Sequence, residues 1–130
     1  MAGYTLKNLK EIEDQAPKFG LEEAQEARFA TGDLDAEMSG LSYQRIKPDQ
    51  RTPFGHKHKQ EEELYVVVGG SGRVKLDDEV VELKQWDVVR VAPGTMRNFE
   101  GGPDGIEIIA FGSRGLGGDD TEMAPGWWSD

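Results

Sequence analysis

The two histidines of the chain, His56 and His58, stand one residue apart, and a glutamate, Glu63, follows shortly after. Alternate residues of an extended strand project to one face, so both imidazoles can reach one point while Lys57 and Lys59 turn to solvent. Glu63 opens the apolar run Leu64-Tyr65-Val66-Val67-Val68, whose β-branched and aromatic content predicts a strand, and Gly70-Ser71-Gly72 then supplies a turn. Across a short bend, the Glu63 carboxylate can face the histidines. Nitrogen and oxygen donors of these kinds serve as metal ligands or as proton carriers, although a bare pair of histidines on a strand is more often structural.

The spacing His-x-His, four residues, Glu, six residues, Gly, present as His56, His58, Glu63 and Gly70, resembles the first motif of the cupin family. A second stretch, Trp86-Asp87, Ala92-Pro93-Gly94 and Thr95-Met96-Arg97, is similar to the second cupin motif. In that motif a histidine stands where this chain has Arg97, and an asparagine where it has Gly101. The glycine often found six residues before the first histidine is Gln50 here, with Gly55 beside the histidine instead. The resemblance runs from about Leu41 to Phe111. It implies an all-β fold, a cupin-type jelly-roll β-barrel, a homodimer, and a metal face in which His56, His58 and Glu63 hold a divalent transition metal: iron, manganese, nickel or zinc.

Arg97 limits what that implication can mean. A guanidinium is protonated at any ordinary pH and has no free lone pair, so it cannot be a fourth ligand. Three readings stay open. Two histidines and one carboxylate leave positions on a metal for water, substrate or dioxygen. Arg97 can instead pair with Glu63 and take over the ion's electrostatic role in a metal-free pocket. Or it can act as the catalytic fork that orients a carboxylate or phosphate of the substrate beside the metal. Tyr65 shares the strand face of Glu63 and Phe99 that of Arg97, which places both in the expected substrate pocket. Tyr43 is a further pocket candidate, and the facing of Tyr43, Arg45 and Glu107 is open. Within Glu61-Glu62-Glu63 only Glu63 has the functional spacing, and its neighbours read as a solvated turn.

The elements that must position these groups are short strands between turns. Leu6, Leu9 and Ile12 predict a short amphipathic helix ending before Pro17. Strands are expected from about Glu26, over Leu41–Lys47, as a hairpin of Arg73–Leu76 with Glu79–Leu83 about Asp77-Asp78, over Val88–Val91, over Met96–Glu100 and over Ile106–Phe111. Pro48–Pro53 and Gly101–Gly105 read as loops. The expected organisation is an N-terminal extension over 1–25, the barrel over 26–112, and an irregular tail over 113–130 whose Trp127 and Trp128 pack on the barrel or a partner subunit.

Composition narrows the function classes. A chain of 130 residues holds one domain, and 17 glycines with 6 prolines favour a turn-rich β plan. Fifteen basic against 25 acidic side chains give a net charge of -10, which repels a phosphate backbone and argues against nucleic acid. The basic residues concentrate mid-chain, which favours a small anionic ligand. There is no cysteine for a disulfide or thiolate site, and neither a signal-peptide core nor a membrane span is evident, so the expected location is cytoplasmic. The expected function is a metal-dependent dioxygenase or isomerase of a small anionic organic substrate, with a non-enzymatic small-ligand-binding module, with or without metal, as the alternative.

Overall fold

The computed structural model describes residues 3–113 and 120–128. Its strands are β1 (Gln25–Phe29), β2 (Ser39–Ile46), β3 (Phe54–His58), β4 (Glu63–Leu76), β5 (Glu79–Lys84), β6 (Val88–Val91), β7 (Arg97–Ser113) and β8 (Thr121–Pro125). All pairings are antiparallel and belong to one curled sheet with the path β1-β2-β7-β3-β8, while β4 pairs with β5, β6 and β7. The long β4–β7 ladder is its spine, running from Glu63 opposite Gly112 to Leu76 opposite Arg97.

That ladder shifts register between Val67 and Gly69 and again between Gly70 and Gly72. Gly70 has φ +68°, and a Cβ there would lie 2.0 Å from the Gly105 carbonyl oxygen, so a side chain is excluded on both counts. The opposing glycines account for a departure from expectation: 101–105 is not a loop but a bent stretch within β7. Its glycines admit close backbone approach, and the strand turns a corner without leaving the sheet.

Alternation places Tyr65, Val67, Val74, Phe99, Ile106, Ile108 and Ala110 inside, where Ile46, Leu83 and Val91 join them in one core. Each large side chain buried there is worth roughly 1.5–3 kcal/mol relative to exposure. The expected hairpin forms with Leu76 opposite Glu79.

Two expectations at the chain ends change. The N-terminal helix is reduced to 3-10 turns at Leu9–Glu11 and Ala16–Phe19, the first capped by the Asn8 side chain. Ile12 is buried but Leu6 is 85% exposed, so the apolar stripe has nothing to lie on along its length. The tail, expected to be irregular, contributes β8, which adds to the free side of β3 with His56 opposite Met123 and His58 opposite Thr121. Covering that edge satisfies backbone groups that β3 would otherwise expose.

The tryptophans pack on their own barrel. Trp127 lies over Gly55, where a Cβ would sit 2.7 Å from its Cγ. Lys75 donates to the Trp127 carbonyl at 2.9 Å and stands 4.5 Å above its ring. Arg51 covers the Trp128 ring at 4.3 Å. No helix among the described residues is long and apolar enough to cross a membrane.

Candidate metal centre and cavity

His56 and His58 both project inward from β3, their rings edge-to-face with centroids 5.2 Å apart. Glu63, at the start of β4, brings one oxygen between them. Its Oε1 lies 3.4 Å from His58 Nε2, 3.9 Å from His56 Nε2 and 3.7 Å from Arg97 Nη2, and it accepts a hydrogen bond from the Tyr65 hydroxyl. Donor atoms of His56, His58 and Glu63 all lie within 4.8 Å of one another, the separation that a shared ion requires.

The electrostatics follow from burial and these neighbours. Burial pushes the Glu63 carboxyl upward, but His56, His58 and Tyr65 together outweigh it and hold the group well below the usual carboxylate range. His56 is lowered, by burial first and then by the Arg97 charge. His58 is raised, chiefly by its interaction with Glu63. Tyr65 is raised well above its ordinary value, by burial first and then by the Glu63 charge, so its phenol stays protonated at neutral pH.

Arg97 is fully buried, next to Glu63 and outside the cavity lining. Its position follows from register, for it lies opposite His56 on one side of β7 and opposite Leu76 on the other. Its Nη1 reaches the His56 carbonyl at 3.5 Å, while Nε and Nη2 lack hydrogen-bond partners.

Two acids that the sequence reading passed over close the set. Glu61, expected in a solvated turn, is 8% exposed, with Oε2 3.7 Å from His58 Nδ1. Asp120, at the entry to β8, is 5% exposed, with Oδ2 3.3 Å from the same nitrogen. Burial raises Glu61 toward the neutral acid. Three carboxyl groups and two imidazoles thus share one region with one guanidinium, and this oxygen- and nitrogen-rich donor set fits a divalent cation. No sequence pattern marks Asp120, while Glu61 is hidden inside an acidic run.

The histidines and Glu63 stand on the wall of a cavity of about 600 Å³. Leu21, Ala27, Phe29, Leu41, Phe54, Phe99, Ala110 and Met123 make most of its surface, with Tyr65 beside Glu63 and with Gln25, Gln44, Thr52 and Asn98 as polar points. Neither lysine nor arginine is among the described residues that line it.

Tyr43 does not join it. The β2–β7 register pairs Tyr43 with Ile109 and Arg45 with Glu107, which turns these residues to the outer face while Ser42 and Gln44 face in. There the Tyr43 hydroxyl donates to Glu107 at 2.6 Å and accepts from Lys10 at 2.7 Å.

Residues 42–102 match the family model described as Cupin domain. That stretch of the chain is similar to the cupin domain family. A cupin protein from Bacteroides fragilis has the same fold, with TM-score 0.72 and 22% identity over 90% of this chain and 89% of that one. The polyketide cyclase RemF from Streptomyces resistomycificus superposes with TM-score 0.73 and 17% identity, over 97% of this chain and 87% of the cyclase. An uncharacterised protein of Methanocaldococcus jannaschii is 32% identical over 69 residues, covering 52% of this chain and 55% of its own length. The chain therefore spans about half the length of that curated relative.

Proposed function

We propose that this protein is a metal-dependent enzyme acting on a neutral, largely apolar small organic molecule. The observation that carries the reading is the placement of His56, His58 and Glu63 on the wall of an apolar cavity without a lysine or arginine among its described lining residues. A cavity of about 600 Å³ is of the size that encloses a drug-sized ligand. An anionic substrate, expected from the basic residues of the sequence, would meet the Glu63 carboxylate and no guanidinium on that wall. The fork role for Arg97 is accordingly set aside.

His56, His58 and Glu63 would hold the ion, which when bound supplies Lewis-acid activation of a substrate oxygen or a site for dioxygen. The chain's own residues do the rest. Tyr65 keeps its proton and directs it at the Glu63 oxygen, fixing that carboxylate. The apolar walls orient the substrate and exclude water, which strengthens every charge interaction at the open side. Asn98 is 3% exposed and its Oδ1 lacks a partner, so it offers an acceptor to a substrate hydroxyl or N–H group. The reaction class that suits this arrangement is isomerisation or oxygen-dependent cleavage.

The Arg97–Glu63 separation of 3.7 Å favours one competing reading, a metal-free binding module in which arginine balances the carboxylate. Elemental analysis of untagged protein purified without chelator separates the two. About one transition-metal atom per chain, lost in His58→Ala, is expected. Metal-free protein that is stabilised by neutral cyclic compounds as well after chelation as before would replace the enzyme reading with the binding module.

A further inference from the structure

The Nε2 atoms of His56 and His58 point at Glu63, but what lies behind His58 differs from what lies behind His56. Asp120 is held in two ways: its main-chain oxygen accepts from Lys59 N at 2.8 Å, and its Oδ1 accepts from Gln60 N at 2.8 Å. With Oδ1 engaged, Oδ2 stands 3.3 Å from His58 Nδ1, buried and without a hydrogen-bond partner. The Thr121 hydroxyl reaches the same nitrogen at 3.3 Å. A carboxylate oxygen only accepts, so a proton on Nδ1, with a slight turn of the ring, is what would supply this orphaned oxygen with a donor.

We propose that Asp120 is a positioning residue that holds neutral His58 in its Nδ1–H form, leaving the Nε2 lone pair free for the ion. The C-terminal strand is thereby part of the metal centre. A neutral imidazole has one proton to place, and whichever nitrogen carries it cannot ligate. A buried acceptor behind the ring removes the wrong form and turns the lone pair toward Glu63 before any ion arrives. Glu61, at 3.7 Å from the same nitrogen, is further away than Asp120 at 3.3 Å, so Asp120 has the stronger claim. Delivery of Asp120 depends on β8 lying along β3, with Lys57 and Lys59 reaching Glu122 on its outer face at 3.4 and 3.9 Å. The Trp127–Gly55 contact anchors the far end of that pairing.

The ligand part of this inference rests on the proposed metal centre, whereas the tautomer part does not. Long-range ¹H–¹⁵N correlation spectra of the metal-free protein at about pH 8.5, above the ordinary imidazole range, report which nitrogen of each histidine is protonated. His58 is expected as Nδ1–H in the natural protein and in Asp120→Asn, whose amide oxygen can still accept, and as a mixture or Nε2–H in Asp120→Ala. Titration with Zn²⁺ alone should then show affinity weakened roughly 10- to 100-fold in Asp120→Ala and by less in Asp120→Asn. His58 found as Nε2–H in the natural protein overturns the proposal, and so does Asp120→Ala with an unchanged tautomer. That first result is available even where Asp120→Ala fails to fold. Failure of the natural protein to bind Zn²⁺ with His58 still Nδ1–H would remove the metal reading while supporting the role of Asp120 in orienting the ring.

Discussion

Replacing Arg97 by methionine separates the two things that a cation beside Glu63 can do. The guanidinium nitrogen is 3.7 Å from Glu63 Oε1, and two unit charges at that distance attract by roughly 4–5 kcal/mol at an effective dielectric of about 20. The loss is offset in part. Arg97 keeps Nε without a hydrogen-bond partner in a fully buried position, and relieving that group returns about 1–3 kcal/mol. The metal-free variant should therefore be less stable by roughly 1–4 kcal/mol, a fall in Tm on the order of 5–10 °C for a chain of this size. The metal affinity should move the other way, because a fixed positive charge next to a ligand oxygen opposes a dication. Its removal should tighten Zn²⁺ or Mn²⁺ binding at least about tenfold, the equivalent of about 1.4 kcal/mol. Calorimetric scans of chelated and metal-loaded protein, with isothermal titration, read both quantities. A variant as stable as the natural protein when metal-free, with no gain in affinity, would refute the electrostatic account of Arg97.

His56→Ala or His58→Ala should abolish metal content and turnover together; turnover kept without metal would end the enzyme reading. Glu63 has a folded-state pKa below its ordinary value of 4.5, so it contributes stability that is present above 4.5 and lost as pH falls through the folded value. Glu63→Gln should accordingly flatten the acid limb of denaturant midpoint against pH in the metal-free protein, and an unaltered limb would contradict this sign. Gly55→Ala puts a methyl carbon 2.7 Å from Trp127 Cγ and should cost about 1–3 kcal/mol while shifting tryptophan emission to the red as the ring leaves its seat. Neutral cyclic compounds should raise Tm more than their carboxylate analogues, and the reverse order would restore the anionic substrate.

Much of the site was legible because it depends on local geometry. His-x-His on a strand must present both rings to one face, and Glu63 with Tyr65 and Val67 must share the next one, whatever the rest of the chain does. That Arg97 cannot ligate is a matter of side-chain chemistry alone. The facing of Tyr43 was not local in this sense. Every residue of β2 can be turned inside or outside by a one-residue slip, and only its pairing with β7, Tyr43 against Ile109, decided it.

The sequence by itself determined the all-β class, the first motif and the identity of the three candidate ligands, because these follow from strand periodicity and donor chemistry. Tertiary structure alone decided the chemistry of the space around them. The buried place of Arg97 behind Glu63, the absence of lysine and arginine from the described cavity wall, and the use of Asp120 are products of strands meeting across long stretches of chain. Asp120 is the sharpest case. It lies 62 residues beyond His58, and no periodicity links them; β8 brings them together by adding to the free edge of β3, and the hydrogen bonds of that pairing are what set a carboxylate behind an imidazole.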